Sequence, residues 1–385
     1  MLALIRRGLA AFLLTMFLAA CQVIPDTGQG PATTAPPPEP QGPSAGVLPT
    51  DETRHRVAIL VPLSGSNGTV GRAIANAATM ALIDTNADTM RITSYDTADG
   101  APAAAQRALD DGNRLILGPL LAEDVAQVAA AARPAGVPLI AFSNDSAVAG
   151  PAVFVLGQVP EQSVTRTVAY ATQQGARRFA TLLPQGEYGD RTAAAMASAV
   201  AAGGGTLVAS ERYDRGNTSI VSAAGRLRAA GGYDAVLIAD GARLSALAAG
   251  ALVRGGGDRP NLLGTELWSG EEAVANATAM NGAWFSAVSD DRFRQFVTSY
   301  RARFGDAPPR IATLGYDAVL LTLRVARDWQ VGQPFPVASL RAPDGFLGLD
   351  GPFRFGQDGV GERAMEVRQV GNGTITVVSP APAKF

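Results

Sequence analysis

The chain has 385 residues, and its 32 Lys and Arg residues against 34 Asp and Glu residues give a formal net charge of −2 at pH 7. Without a clustered basic face or interleaved aromatic residues, nucleic acid is not an expected partner. His55 is the only His, so acid–base catalysis, catalytic triads and metal sites built from His residues are not expected. Cys21 is the only Cys, so the mature chain is expected to lack disulfides.

The N-terminal segment MLALIRRGLAAFLLTMFLAAC predicts an export signal. Arg6 and Arg7 precede an apolar stretch that is shorter than the roughly 20 residues a membrane-spanning helix needs. The end of this segment, Leu18 to Cys21, is similar to a bacterial lipobox, after which the Cys is lipidated. We therefore expect residues 1–21 to be a lipoprotein signal peptide and Cys21 to carry the lipid. The alternative is an ordinary signal peptide that happens to contain a Cys at its cleavage site.

Residues 22–54 have a different composition, rich in Pro, Gly, Thr and Ala, as in PATTAPPPEPQGPSAG. Such a segment cannot bury enough apolar surface to offset its ordering entropy, so it is predicted to be a disordered tether. A lipid anchor followed by a tether holds a domain away from a membrane that it does not cross. Because residue 22 is Gln rather than Asp, analogy with Gram-negative lipoproteins predicts a periplasm-facing protein at the outer membrane.

Beyond the tether, short apolar runs alternate with Ala-rich helical segments in two successive series. Short strands that alternate with helices of about a dozen residues are typical of parallel sheets covered on both faces. Two series therefore predict an α/β protein with two lobes. The predicted strands are RVAILVPL, RITSYDTA, RLILGPL and VPLIAFSN in the first series, and RFATLLPQ, TLVASERYD, AVLIAD and NLLGTEL in the second.

The last hundred residues follow a different pattern. DRFRQFVTSYRARFG and RIATLGYDAVLLTLRVARDW are amphipathic and predict longer helices, whereas GPFRFGQDG, AMEVRQV and GTITVVSP predict short antiparallel strands with turns at Gly359 and at residues 371–373. These elements are expected to return to the two lobes. The predicted limits of the folded domain are residues 55–380, with lobe 1 at about 55–157 plus 284–335 and lobe 2 at about 158–283 plus 336–380.

No arrangement of residues predicts catalysis, a cofactor or a metal. The Gly spacing in SGSNGTVG does not fit the dinucleotide fingerprint, and no phosphate-binding G-K-[ST] motif is present. The acidic pairs fall at predicted helix ends, where the helix dipole and solvation account for them. We therefore expect a protein that is not an enzyme.

Ligands of open α/β sheets bind beyond the carboxyl ends of the strands, so polar residues there are the candidate site. Two lobes that both present such ends can close over a small molecule. The candidate ligand-binding residues are Ser64, Leu121, Ser143, Asn144, Asp145, Tyr188, Asp240 and Glu266.

Four segments give the chain a family resemblance: VAILVPLSGSNGTVGRAIANAATMAL, LILGPLLAEDVAQVAAAARPAGVPLIAFSND, RFATLLPQGEYGDRTAAAMASAV and NLLGTELW. Their order resembles type I periplasmic binding proteins of the leucine/isoleucine/valine-binding group, from Arg56 to about Trp329. The resemblance implies two Rossmann-like lobes with parallel sheets joined by three crossovers, and an amino-acid ligand in the cleft. It also implies that the loop at residues 143–145 receives the ligand's carboxylate, that Tyr188 covers the ligand and that Glu266 pairs with its ammonium.

The chain departs from this family pattern at several site positions. Leu121 and its neighbours offer no hydroxyl where the family has Ser, an aromatic expected after AVLIAD is absent, and Asp145 would repel a carboxylate. These departures keep a second hypothesis open, because the same fold occurs in outer-membrane lipoproteins that activate penicillin-binding proteins by protein contact in peptidoglycan synthesis. The expected partner is thus an amino-acid-like solute of a transport system or a penicillin-binding protein.

Overall fold

The computed structural model describes residues 53–254 and 259–382. The predicted signal peptide, Cys21 and the tether up to residue 52 lie outside the described residues. Within those two ranges no helix combines the length and the hydrophobicity that crossing a bilayer requires.

Lobe 1 is built on a five-stranded parallel sheet with strand order β2-β1-β3-β4-β5. Its central strands are apolar on both faces because helices cover the sheet on both sides, as the unbroken apolar runs predict. The elements of its first part are β1 (His55–Val61), α1 (Gly68–Asp84), β2 (Met90–Asp96), α2 (Ala101–Asp110), β3 (Leu115–Leu117), α3 (Ala122–Ala132), β4 (Leu139–Ala141) and β5 (Val153–Val155).

The start of α1 lies very close to the end of β1. A Cβ added at Gly71 would lie 1.8 Å from the carbonyl oxygen of Pro62, so no larger residue fits without moving the helix. This close approach places the first turn of α1 beside the carboxyl end of the sheet, where the candidate site is expected.

Lobe 2 contains a seven-stranded sheet with strand order β15-β14-β10-β9-β8-β6-β7, in which β14 and β15 are antiparallel to their neighbours. Helices again pack on both faces, around separate clusters of Ala, Leu and Val side chains. The elements of its first part are α4 (Pro160–Gln173), β6 (Arg178–Pro184), α5 (Glu187–Ala202), β7 (Thr206–Tyr213), α6 (Ser219–Ala230), β8 (Ala235–Ile238), α7 (Ala242–Leu252), β9 (Asn261–Gly264), α8 (Glu272–Asn276) and β10 (Trp284–Ala287).

The C-terminal part has the two predicted helices and the predicted antiparallel strands. Gly359 and Gly373 both have positive φ angles, of 83° and 77°, at the turns that join consecutive strands. The elements are α9 (Asp291–Phe304), α10 (Thr313–Ala326), β11 (Phe346–Gly348), β12 (Gly351–Phe355), β13 (Gly361–Arg363), β14 (Glu366–Val370) and β15 (Ile375–Ser379).

The predicted lobe boundaries at residues 284 and 336 are wrong. Trp284–Ala287 pairs with β9 and β14, so this strand belongs to the lobe 2 sheet. The chain crosses to lobe 1 only after this strand. The three-stranded sheet β11-β12-β13 belongs to lobe 1, because Phe353 and Phe355 are buried in the lobe 1 core. The chain therefore crosses between lobes three times, after β5, after β10 and after β13.

Candidate functional site

A cavity of about 470 Å³ lies between the two lobes at the carboxyl ends of their strands. This volume is in the range of small-molecule sites. Lobe 1 and the first crossover supply most of its wall, and the loop after β9 supplies the part from lobe 2. The lining residues are Asn67, Val70, Leu120, Leu121, Phe142, Asn144, Gln158, Glu266, Leu267, Ser269, Glu271, Pro309, Arg310, Ile311 and Leu314.

The cavity wall is mainly apolar. Leu120 and Leu121 come from the turn between β3 and α3, and Phe142 follows β4, so these three lie at one edge of the lobe 1 sheet because parallel strands present their carboxyl ends together. Ile311 lies in the 3₁₀ turn just before α10, and Leu314 in the first turn of that helix. The wall therefore suits an apolar body.

Glu266 lines this cavity from lobe 2, in a short 3₁₀ turn that follows β9. The loop is fixed by Trp268, a fully buried side chain whose Nε1 donates to the carbonyl oxygen of Asp240 and to Ser245 Oγ, each at 3.0 Å. Only 7% of Glu266 is exposed, and burial raises the pKa of its carboxyl.

Burial and hydrogen bonding act on Glu266 in opposite directions. Ser163 Oγ donates to Glu266 Oε2 and also lies within hydrogen-bond distance of the carbonyl oxygen of Pro160. Burial is the largest effect and raises the pKa of the carboxyl, whereas the hydrogen bonds from Ser163 and Tyr188 stabilise the carboxylate and lower it in part.

Tyr188 is bonded to the same carboxyl group. Its hydroxyl donates to Glu266 Oε1 at 3.0 Å and lies 3.0 Å from Thr265 Oγ1. Burial raises the pKa of Tyr188 well above its ordinary value, so the hydroxyl keeps its proton. Tyr188 therefore braces Glu266 and is not among the residues that line the cavity.

The predicted loop at residues 143–145 follows β4, and Asn144 lines the cavity. Its other two residues bond the loop's own backbone: Ser143 Oγ accepts from the N–H of Asp145 at 3.0 Å, and Asp145 Oδ1 accepts from the N–H of Ala147 at 2.9 Å. Two of the N–H groups that could receive a ligand carboxylate are therefore already bonded within the loop.

Arg191, on α5 of lobe 2, contacts this lobe 1 loop across the cleft. Its NH1 donates to the carbonyl oxygen of Asn144 at 2.6 Å, and its Nε lies 3.5 Å from Asp145 Oδ1. A second bond across the cleft joins Ser146 Oγ to Glu161 Oε1 at 2.9 Å. We call Arg191, Glu161 and residues 144–146 the inter-lobe latch. The latch explains how Asp145 is tolerated, since Arg191 neutralises it.

Besides Ser143, Asp145 and Tyr188, two more predicted site residues, Ser64 and Asp240, do not line the cavity. Ser64 Oγ donates to Asp96 Oδ2 at 2.8 Å, and Asp96 also accepts from the backbone N–H groups of Leu63 and Ala98. Asp240 Oδ2 accepts from Tyr213 at 2.5 Å and from Arg215 Nε at 2.9 Å. Both residues hold strand-end turns in place, as Ser and Asp commonly do.

Ser269 and Arg310 were not predicted, although both line the cavity. Arg310 NH1 donates to Asp290 Oδ1 at 2.7 Å, and its NH2 donates to Asp350 Oδ1 at 3.0 Å. Ser269 Oγ and Arg310 Nε are buried without a hydrogen-bond partner among the described residues. Pro309, directly before Arg310, is the only sequence signal of a helix start there.

Among the described residues, no group of three or more His, Cys, Asp or Glu side chains could hold a metal ion. The arrangement of the cavity is that of a binding site: an apolar wall, a few polar groups and walls from both lobes.

Comparison with known proteins gives a family. The model of the family described as "Periplasmic binding protein" matches residues 55–374. An uncharacterized protein of Rickettsia prowazekii (strain Madrid E) is 27% identical over 166 residues, which are 43% of this chain and 44% of that protein. This match therefore spans less than half of either sequence.

Solved structures share the fold. An ABC transporter substrate-binding protein from Sphaerobacter thermophilus has a TM-score of 0.71 at 21% identity, covering 85% of this chain and 96% of that chain. The branched-chain amino acid transporter substrate binding protein of Streptococcus pneumoniae, solved with isoleucine, has a TM-score of 0.67 at 19% identity, covering 86% of this chain and all (100%) of that chain. A solute binding protein of Rhodopseudomonas palustris, solved with 3,4-dihydroxybenzoic acid, has a TM-score of 0.68 at 20% identity, covering 87% of this chain and 98% of that chain. The chain belongs to the periplasmic binding protein family and has its type I fold, that of the leucine and branched-chain amino acid binding proteins.

Proposed function

We propose that the protein is a non-catalytic receptor of the cell envelope that binds a small solute between its lobes. The observation that supports the proposal most is the cavity of about 470 Å³, with its apolar wall and its contributions from both lobes. Solved members of the fold include proteins in complex with isoleucine and with 4-hydroxybenzoate, so the fold accommodates both amino acids and aromatic acids.

A thermal-shift and calorimetry panel of amino acids, aromatic acids and their neutral derivatives tests this proposal. Leu121→Trp places a large ring in the cavity wall and should abolish binding of any panel solute. Leu247→Trp is the matched control, because Leu247 lies on α7, is 41% exposed and does not line the cavity. Equal binding by both variants, or no binding by the unmodified protein, would contradict the proposal.

A second candidate function is activation of penicillin-binding proteins through protein contact. The observation that favours it is the inter-lobe latch, together with the internal bonds of Glu266 and the loop at 143–145. These bonds occupy groups that would otherwise hold an amino acid. Adding the protein to a purified penicillin-binding protein should then raise glycan-strand or cross-link synthesis, whether or not the cavity is blocked by Leu121→Trp. Unchanged synthesis would count against this candidate.

We propose further that the protein is lipid-anchored at Cys21, faces the periplasm and is held at the outer membrane. The lipobox-like residues before Cys21 and the Pro-rich segment after it support this location. Cys21→Ala should release the protein from the outer-membrane fraction. A variant that remains there after a salt wash would contradict the anchor.

A further inference from the structure

A second cavity, of about 330 Å³, lies at the amino ends of β1 and β3, at the end of the lobe 1 sheet opposite the cleft. His55 stacks on Trp329 there with ring centroids 4.0 Å apart, and burial lowers the pKa of this His, so it is neutral at pH 7. Arginines therefore supply the charge of this cavity, and no described lining residue is acidic. The lining residues are Arg54, His55, Arg56, Gly112, Arg114, Trp329, Val331 and Gly332.

Strand pairing brings the arginines together. Arg56 on β1 is in register with Arg91 on β2, and the N–H of Arg114, just before β3, donates to the carbonyl oxygen of Arg56 at 3.0 Å. We call Arg54, Arg56, Arg91 and Arg114 the basic end of lobe 1. Like charges side by side on neighbouring strands repel each other. An anionic surface placed against the basic end would offset this repulsion.

Arg56 and Arg114 form no ion pair with a described acid. Arg56 NH1 donates to the carbonyl oxygen of Asp111 at 2.8 Å, whereas the carboxylate of Asp111 accepts from Tyr95 at 2.7 Å. Gly112 leaves room for the guanidinium, since a Cβ added there would lie 2.8 Å from Arg56 NH1. Arg114 is exposed. The basic end thus holds one cation in a fixed position beside one that is open to water.

The chain enters the described domain at this same end. Thr53 is the first described residue, and the next one, Arg54, already lines the cavity. With the proposed lipid on Cys21, residues 22–52 can hold the domain no further than about 110 Å from the membrane. A weak attraction is then sufficient for docking, because the anchor keeps the domain at a high local concentration. Val331, 40% exposed beside the arginines, adds an apolar side chain that suits a bilayer interface.

We infer that the basic end of lobe 1 docks on an anionic phospholipid surface and that the cleft, at the opposite end of the lobe 1 strands, faces away from the membrane. The guanidinium groups are attracted to the lipid phosphates, and salt screens this attraction. The inference goes beyond solute binding. It rests on the proposed anchor only for what keeps the domain near a membrane.

Flotation of the unlipidated chain of residues 22–385 with vesicles tests the inference, because this chain retains every described residue. It should bind vesicles of equal parts phosphatidylglycerol and phosphatidylcholine at about 100 mM NaCl, and be released at about 500 mM. It should not bind phosphatidylcholine alone. Arg114→Gln should weaken binding about fivefold, and Arg56→Gln combined with Arg114→Gln about 25-fold. Arg243→Gln, at an exposed position on α7 of lobe 2, is the matched control and should leave binding unchanged.

Melting temperatures of the variants check that each is folded. Equal binding to both kinds of vesicle, no binding to the anionic ones, or an equal loss from Arg114→Gln and Arg243→Gln would overturn the inference. If inorganic phosphate binds with the same dependence on Arg114 while the vesicles do not, the basic end is a site for small anions and membrane docking is wrong. None of these results decides the solute site or the anchor, which Leu121→Trp and Cys21→Ala test separately.

Discussion

Glu266 shows how local contacts set the role of a residue that was expected to pair with a ligand's ammonium group. Its carboxyl group is bonded by Ser163 and Tyr188 and lies in a loop held by Trp268. Burial raises the pKa of this carboxyl, and its hydrogen bonds hold it against the lobe 2 side of the cavity. An amino-acid receptor would need this carboxyl to meet a ligand ammonium, whereas its oxygens are bonded within lobe 2.

The substitution Glu266→Gln tests whether the fold depends on the hydrogen bonds of this group or on its charge, because glutamine keeps the size of the side chain. Its amide can donate to Ser163 while its oxygen accepts from Tyr188, so urea unfolding should show a change in the free energy of unfolding of less than about 1 kcal/mol. Glu266→Ala leaves two buried hydroxyl groups without this partner and should cost about 1–3 kcal/mol. Equal losses from the two substitutions would mean that the charge of Glu266 matters in the folded protein.

Asp317 is the second buried acid with a shifted titration. It lies on α10, accepts from the N–H of Leu349 at 2.6 Å and lies 3.6 Å from Arg363. Burial, with the charge of Asp350 as the next contribution, raises the pKa of Asp317 to about 7. The folded protein therefore holds a proton on Asp317 that the unfolded chain releases near pH 4.

Stability should consequently depend on pH through Asp317. Because its folded pKa is above the unfolded value, its contribution to stability is fully present below about pH 4 and is lost as the pH rises to about 7. Asp317→Asn should reduce the slope of unfolding free energy against pH in this window, measured by urea unfolding at half-unit steps. An identical slope in the variant and in the unmodified protein would contradict the assignment.

At the scale of elements, the structure connects the two lobes on both sides of the cavity. On the crossover side, Gln162 of α4 bonds β13 of lobe 1: its Nε2 donates to the carbonyl oxygen of Gly361 at 2.7 Å, and its Oε1 accepts from the N–H of Arg363 at 3.0 Å. Across the cleft, the inter-lobe latch joins α5 to the loop after β4. With bonds on both sides, the described conformation is a closed one.

Arg191→Ala should loosen this closed form. The side chains of Arg191 and Asp145 are only 17% and 13% exposed, so screening by water is limited and the lobes lose a partly buried charged contact. Small-angle X-ray scattering should then show a larger radius of gyration, and solute association should become faster. Arg212→Ala is the matched control, because Arg212 pairs with Asp190 inside lobe 2 at 2.7 Å. An unchanged radius for Arg191→Ala would mean that the latch does not hold the lobes together.

The fold of the whole molecule follows from patterns that are local in the sequence. Strands such as AVLIAD and helices such as APAAAQRALDDG have short periods of hydrophobicity, so their type and order are predictable. The lobe to which Trp284–Ala287 and the sheet β11-β12-β13 belong was not predictable, because it depends on which distant strand each one pairs with. Phe353 and Phe355 could be buried in either lobe by their residue type; only their packing in the lobe 1 core shows which lobe they belong to.

Part of the site could also be predicted, because some of its residues follow strands directly in the sequence. Polar residues after a strand are visible in the sequence, and Asn144 and Glu266 do line the cavity. Arg310 was missed because it follows no strand and enters the site only through the return of the chain to lobe 1. The bonds of Glu266 were also hidden, since Ser163 is 103 residues away in the sequence.

The proposed function requires that one cavity, with walls from both lobes, binds a solute. Hydrogen–deuterium exchange of the full chain, with and without the tightest-binding solute of the panel, tests it most directly. We predict that the solute protects three segments together: residues 142–146 and 310–314 of lobe 1 and residues 266–271 of lobe 2. Protection of one lobe only, or no protection in these segments by any solute, would contradict the claim.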